Sequence, residues 1–191
     1  MKRNVFKGLE ISQLGFGMMR LPILDGDYSK IDLNLTARMF ETAINAGVNY
    51  FDTAWAYHNG KSESAAGGIL SKYPRASYFL ANKFPGYDAS SYAKVEEIFE
   101  EQLKKCKTDY FDFYLMHNVD NADIDNYLND AKYGHFSYFK EQRDRGRIRH
   151  LGFSTHGSLE TMRRFLDRYA EDLEFCQIQL NWFDWSFQQA G

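Results

Sequence analysis

The stretch GVNYFDTAWAY, residues 47–57, decides how the chain is interpreted. The mostly apolar run before Asp52 suits a buried strand, and Gly47 ends the helical pattern that precedes it. Yet the strand closes on the carboxylate of Asp52, and Tyr57 follows five residues later in what must be a loop. A buried carboxylate needs a partner that compensates its charge, so the rest of the sequence should supply one.

Apolar strands alternate with helical patterns along the chain. A Lys7-Gly8 turn between two short apolar runs predicts an N-terminal β-hairpin. The strands are predicted at residues 14–19, 48–52, 77–83, 110–117, 148–154 and 175–182. The helices are predicted at residues 33–46, from an N-cap at Ser62 towards Leu70, from a cap at Ser91 to Cys106, and at residues 124–145 and 159–169.

This alternation is typical of an α/β protein with a parallel sheet, either a doubly wound sheet or a βα barrel. The dinucleotide fingerprint GxGxxG is absent, because Gly15-Phe16-Gly17 lacks the third glycine and precedes the first long helix. We therefore favour the TIM (β/α)8-barrel family.

Five of the predicted strands end in polar residues, and in a βα barrel such residues line the active site. They are Asp52, Lys83, His117, Ser154 and Gln177, with Tyr57 in the loop after Asp52.

The side chains at these positions can catalyse one reaction together. A tyrosine is a weak acid at neutral pH, and a nearby ammonium such as that of Lys83 makes Tyr57 a better proton donor. Asp52 can pair with Lys83, and His117 can hydrogen-bond a carbonyl oxygen. This arrangement could protonate a carbonyl oxygen while a cofactor delivers hydride to the carbon.

The composition excludes several classes of function. The chain has 191 residues and a formal net charge of -3, which argues against a nucleic-acid partner. No signal peptide or membrane span is predicted, and we expect a cytoplasmic protein. The two cysteines are predicted to be buried or half-buried thiols, far apart and without metal-ligand spacing.

The order of FDTAWAY, GKSE, ANK, YLMHN, GFS and QIQLNW resembles the aldo-keto reductase family. The resemblance runs through most of the chain and implies a metal-free (β/α)8 barrel that reduces aldehydes and ketones with NADPH. It implies a catalytic tetrad of Asp52, Tyr57, Lys83 and His117, with Tyr57 as the proton donor.

The resemblance also implies cofactor-binding residues. Ser154 and Gln177 match positions that hold the nicotinamide, and Thr155 stands where the family often has asparagine. Gly17 and Met19, near the N-terminus, complete the set of candidate cofactor contacts.

A complete barrel takes about 250 residues, whereas the sequence ends just past its sixth strand. We interpret residues 1–191 as one partial barrel domain that lacks the last two βα units. We therefore expect weak NADPH binding and a homo-oligomer that covers the open sheet edges.

Other functions remain open on the sequence alone. A truncated, non-catalytic barrel that acts as a binding or regulatory subunit is the main alternative. A Schiff-base role for Lys83 is opposed by Asp52, which stabilises the ammonium form, and a metal site on Asp52 and His117 lacks a third ligand. Trp55, Tyr87 and Trp182 are candidates for an aromatic pocket wall.

Overall fold

The structure is a computed structural model that describes residues 1–181. Its N-terminal hairpin consists of β1 (Arg3–Phe6) and β2 (Leu9–Ser12), which pair antiparallel. Lys7 and Gly8 both have positive φ, 47° and 84°, as a two-residue type I′ hairpin turn requires. The predicted hairpin is confirmed.

The remaining strands form one six-stranded sheet in chain order, β3-β4-β5-β6-β7-β8. The pairs β3–β4, β4–β5 and β7–β8 are parallel. Successive βα units of a TIM barrel produce this order, and the predicted fold class is confirmed. The strands are β3 (Phe16–Gly17), β4 (Tyr50–Asp52), β5 (Phe79–Phe84), β6 (Phe111–Met116), β7 (Ile148–Thr155) and β8 (Phe175–Ile178).

The helices follow the strands much as the sequence predicts. They are α1 (Leu33–Asn45), α2 (Ser62–Leu70), α3 (Val95–Cys106), α4 (Ile124–Leu128), α5 (Asp130–Tyr133), α6 (His135–Asp144) and α7 (Leu159–Tyr169).

Three boundary predictions are wrong, each for a local reason. The helix predicted over residues 124–145 is divided into α4, α5 and α6, and Gly134 adopts φ 66° between the last two. Ser91 lies inside a 3-10 turn (Ala89–Lys94) that the side chain of Asp88 caps. Ser62 is the first residue of α2 rather than its N-cap, which is Lys61.

The described residues divide into two compact units. The first comprises Met1–Asn82 and Glu101–Asp112. In its core, the rings of Phe40 and Phe51 stack with centroids 5.2 Å apart. At the start of its strands, the buried carboxylate of Asp112 accepts hydrogen bonds from Arg75 at 2.6 Å and from the backbone of Leu80 at 2.9 Å.

The second unit comprises Lys83–Glu100 and the residues from Phe113 onward. The fully buried rings of Phe99, Tyr114 and Phe139 pack with centroids 4.9–6.1 Å apart. Close packing explains Gly152, because a Cβ there would lie 2.6 Å from the carbonyl oxygen of Phe175.

Two further predictions concern the burial of the cysteines and the absence of a membrane-spanning helix. Cys106 is buried as predicted, but Cys176 is exposed on β8, so the prediction for that residue is wrong. Within residues 1–181, no helix has both the length and the apolar character needed to cross a bilayer. The cytoplasmic location stays a prediction.

Two adjacent glycines of α2 provide a test of the packing within the first unit. A Cβ on Gly67 would lie 2.2 Å from the carbonyl oxygen of Lys105, whereas a Cβ on Gly68 would meet nothing within 4 Å. We expect Gly67→Ala to lower the free energy of unfolding by about 1–3 kcal/mol through overpacking. Gly68→Ala should raise it by about 0.5–1 kcal/mol through helix propensity.

Urea denaturation of the two variants measures both effects against the same parent. Equal stabilities for Gly67→Ala and Gly68→Ala would contradict the close approach of α2 to the end of α3.

Candidate active site

Asp52 ends β4 and is only 8% exposed. It lies opposite Gly17 of β3 on one side and Ala81 of β5 on the other, and its carbonyl oxygen accepts a 2.9 Å hydrogen bond from Met18. Parallel pairing on both sides thus holds this carboxylate at the carboxyl end of a central strand, as the sequence predicts.

Tyr57 lies in the loop between β4 and α2 and is half-buried. Its backbone is fixed by a tight turn: its N–H donates to Ala54, and its carbonyl oxygen accepts from Gly60 at 3.1 Å and Ser62 at 3.2 Å. The position of the phenol therefore depends on how this loop is anchored.

A buried hydroxyl pair ties the loop to the strands. Ser62 donates from Oγ to the carbonyl oxygen of Met18 at 3.2 Å, which uses its single proton. It must therefore accept from Thr53, whose Oγ1 is 2.8 Å away. Both hydroxyls are fully buried, so these two bonds join the ends of β3 and β4 to the start of α2.

Trp55 anchors the same loop to α3. The ammonium of Lys105 lies 3.8 Å from the centre of the Trp55 ring and 3.3 Å from the carboxylate of Glu63. Burial raises the pKa of Glu63, while the hydrogen bond from Asn82 at 2.9 Å and the charge of Lys105 oppose the rise. This contact accounts for the position of Trp55, and its role as a pocket wall stays a prediction.

Lys83, the penultimate residue of β5, is only 2% exposed. In the same unit, His117 directly follows β6, and its backbone N–H donates to Phe84 at 3.0 Å. Burial is the largest cause that lowers the pKa of His117 to about 3, and the positive charge of Lys83 contributes to the same lowering. The imidazole of His117 is therefore neutral at physiological pH.

Neighbouring rings and hydroxyls hold His117 in place. The ring of Tyr87 meets the imidazole edge-on, with centroids 5.3 Å apart, and the hydroxyl of Tyr127 donates to the carbonyl oxygen of His117 at 2.6 Å. Tyr87 therefore lies beside a predicted catalytic residue, whereas Trp182 lies outside the described residues.

The candidate cofactor residues at the end of β7 lie close to the segment after His117. Ser154 lies opposite Gln177 of β8, and its Oγ accepts a 2.9 Å hydrogen bond from the backbone N–H of Asn118. That bond occupies an acceptor position of the hydroxyl and leaves its proton available to a ligand. Ser154 is thus suited to donate to a carboxamide oxygen.

Thr155 is placed differently. Its hydroxyl donates to the carbonyl oxygen of Val119 at 2.6 Å and accepts from Gly157 at 2.9 Å. These two bonds give it a role in joining two loops, and a direct contact of Thr155 with cofactor stays a prediction.

Gly17 and Met19 are exposed at the end of β3 and just after it. A Cβ on Gly17 would meet nothing within 4 Å, so there is open space above its backbone. Contact of Gly17 and Met19 with a cofactor stays a prediction.

Two residues of this region were missed by the sequence reasoning. His58 is fully buried next to Tyr57, and His156 is exposed but contributes charge that lowers the pKa of His117. The signals were available, as a histidine in YHNG beside a candidate catalytic tyrosine and another in STHG after a candidate cofactor strand. Within residues 1–181, no three His, Cys, Asp or Glu side chains are grouped so that they could hold a metal ion.

Comparison with known proteins gives the family. The model of the aldo/keto reductase family matches residues 13–191. The chain belongs to this family. An aldo-keto reductase of Mycolicibacterium smegmatis is 32% identical over 154 residues, which cover 77% of this chain and 47% of that protein.

Solved structures agree with the fold. An aldo-keto reductase of Bacillus halodurans in its holo form has a TM-score of 0.71 at 25% identity, over 94% of this chain and 57% of that one. The Bombyx mori aldo-keto reductase in complex with NADP has a TM-score of 0.69 at 23% identity, over 95% and 58%.

The chain spans about half the length of the curated relatives it matches. The single partial domain, the two missing βα units, the weak NADPH binding and the homo-oligomer all stay predictions.

The neutral state of buried His117 can be measured through stability. In the unfolded chain the imidazole binds a proton near its usual pKa of 6.5, but in the folded protein only near 3. Between these values the unfolded state holds more protons, so the free energy of unfolding must fall as the pH is lowered. We expect His117→Gln to reduce this slope by up to about 1.4 kcal/mol per pH unit.

Urea denaturation between pH 4 and 7 checks this expectation. Some slope should remain in the variant, because burial also lowers the pKa of His135, to about 4. An identical slope in wild type and His117→Gln would mean that His117 titrates as an exposed histidine does.

Proposed function

We propose that this chain carries the catalytic residues of an NADPH-dependent reductase that converts aldehydes or ketones to alcohols. The observation that carries the proposal is the buried ammonium of Lys83 beside the neutral imidazole of His117. A neutral imidazole can donate a hydrogen bond to a carbonyl oxygen without giving up its proton, and a buried cation favours an adjacent anion.

In the proposed reaction, Tyr57 transfers its phenolic proton to the carbonyl oxygen. Hydride addition at the carbon makes that oxygen strongly basic, so the oxygen takes the proton and the alcohol leaves neutral. The phenolate that remains on Tyr57 is stabilised by the charge of Lys83 until solvent returns a proton. The cofactor, when bound, supplies the hydride, which no side chain can supply.

Asp52 has the role of charge partner to Lys83. An ammonium buried without a compensating charge is costly in free energy, and a carboxylate partner offsets that cost. Asp52 lies opposite Ala81, and Lys83 follows Ala81 by two residues on the same strand. Side chains two residues apart share a face of a strand, which supports this pairing.

His117 orients the substrate and Ser154 the cofactor. His117 points the carbonyl oxygen towards the phenol, and Ser154 with Gln177 holds the nicotinamide carboxamide. Gly17 and Met19 are proposed to contact the cofactor, and the open space above Gly17 supports its approach to the backbone there.

Tyr57→Phe tests the proposed proton donor. We expect the wild type to oxidise NADPH in the presence of aldehydes, followed at 340 nm, and we expect the variant to lose about 10²–10⁴-fold in kcat. NADPH binding, followed by fluorescence titration, should be retained, because the hydroxyl is needed for chemistry rather than for the cofactor. Tyr73→Phe, the same change in the segment just after α2, is the matched control and should keep the wild-type rate.

Two results would contradict the proposal. A Tyr57→Phe enzyme as fast as wild type would exclude the phenol as the proton donor. A wild type that binds NADPH but reduces none of a broad aldehyde and ketone panel would favour the non-catalytic alternative.

A further inference from the structure

His58 directly follows Tyr57, and its imidazole is fully buried. The ring makes two hydrogen bonds to distant backbone: Nε2 lies 2.9 Å from the N–H of Leu21, and Nδ1 lies 2.8 Å from the carbonyl oxygen of Tyr28. Because an N–H can only donate, Nε2 must be the acceptor and carry no proton. The ring is therefore neutral, with its proton on Nδ1 and donated to Tyr28.

Both partners of His58 belong to the connection between β3 and α1, residues 18–32, which we call the β3–α1 loop. This loop has an internal structure of its own: Leu24 donates to Lys30 at 2.8 Å and Asp32 donates to Pro22 at 2.8 Å. The hydroxyl of Tyr28 also donates to Met19 at 2.9 Å. The β3–α1 loop is thus a folded segment, and His58 joins it to the loop that bears Tyr57.

The backbone at His58 is in the left-handed conformation, which residues other than glycine adopt only uncommonly. His58, Asn59 and Gly60 have φ values of 53°, 51° and 80°, so three consecutive residues adopt the left-handed conformation. Glycine and asparagine tolerate that conformation, but histidine does so at a cost in free energy. Strain of this kind persists where surrounding contacts impose it, and it is common at active sites.

The contacts of the imidazole explain why the backbone at His58 is held in the left-handed conformation. Besides its two hydrogen bonds, the ring stacks on Tyr28 with centroids 4.3 Å apart and an angle of 20° between the planes. A glycine at position 58 would form the turn without strain, so the turn alone does not explain a histidine. The side chain is explained by its three contacts with the β3–α1 loop.

We propose that His58 is a positioning residue that fixes Tyr57 for proton donation by fastening its loop to the β3–α1 loop. Tyr57 is then held from both sides, by Gly60 and Ser62 at its carbonyl oxygen and by the imidazole of the next residue. This inference rests on the proposed function, because it assigns His58 through the role of Tyr57.

A pair of variants separates the side chain from the turn. His58→Gly keeps the left-handed turn and relieves its strain but removes all three ring contacts. We expect kcat for aldehyde reduction to fall at least tenfold, since a displacement of about 1 Å can cost about 10²-fold. The KM for the aldehyde should change less than threefold, because the phenol acts on proton transfer rather than on binding.

His58→Asn is the conservative variant. Asparagine tolerates the left-handed conformation, and its amide nitrogen can take the place of Nδ1 as donor to Tyr28. We expect it to recover part of the kcat that the glycine variant loses. Hydrogen exchange at the Leu21 amide should become faster in His58→Gly, while the exchange of Phe51 in β4 stays as in wild type.

The outcomes distinguish this inference from the proposed function. A wild type without turnover overturns the proposed function and the role of Tyr57 with it. An active wild type together with an unchanged kcat in His58→Gly overturns the role of His58 alone. If both variants fail to fold, the nitrogen-15 chemical shifts of the His58 ring in the wild type test the proposed contacts. A proton on Nδ1 supports the attachment of the ring to the β3–α1 loop, and a proton on Nε2 overturns it.

Discussion

The rest of the site depends on the buried positive charge of Lys83. The ammonium of Lys83 is 2% exposed near the end of β5, where burying a charge away from water costs free energy unless another group compensates it. A lysine buried in an apolar strand is costly unless the fold compensates its charge, and replacing a buried charge pair by apolar residues is often neutral or stabilising. The charge also acts on His117: burial and the nearby cation lower the pKa of its ring, which keeps the ring neutral.

Burial and the charge of Lys83 together determine which of the two candidate proton donors, His117 or Tyr57, can act as the acid. His117 cannot serve as a cationic acid at physiological pH, because its pKa is about 3. It is left with the role of a neutral hydrogen-bond donor, and the proton has to come from a different side chain. Under the proposed function this side chain is Tyr57, which belongs to a loop rather than to a strand. A loop residue needs external anchoring, and the contacts of Ser62, Trp55 and His58 provide it.

The sequence predicts the strand ends well because their signal is local. An apolar run that closes on a polar residue marks both the strand and the functional position, and this holds for Asp52 on β4, for Ser154 near the end of β7 and for His117 directly after β6. The hairpin is equally local, since Lys7-Gly8 defines its turn.

The features that sequence reasoning missed are set by tertiary packing. The sequence marks the histidine at position 58 only by its place beside Tyr57, and the partners that give it a role lie 30 and 37 residues away along the chain. The division of the helix at Gly134 depends on Asp130, whose carboxylate accepts from the backbone of Phe136 and so starts α6 anew. The exposure of Cys176 likewise follows from which face of β8 is covered, which a four-residue strand does not reveal.

Nitrogen-15 NMR titration of the His117 ring in wild type and in Lys83→Met measures the effect of the buried charge on this histidine. We expect the wild-type ring to stay neutral until the pH approaches about 3, and its pKa to be higher once the buried ammonium is removed. A ring that titrates near 6.5 in both proteins would show that neither the burial nor the charge of Lys83 acts on His117.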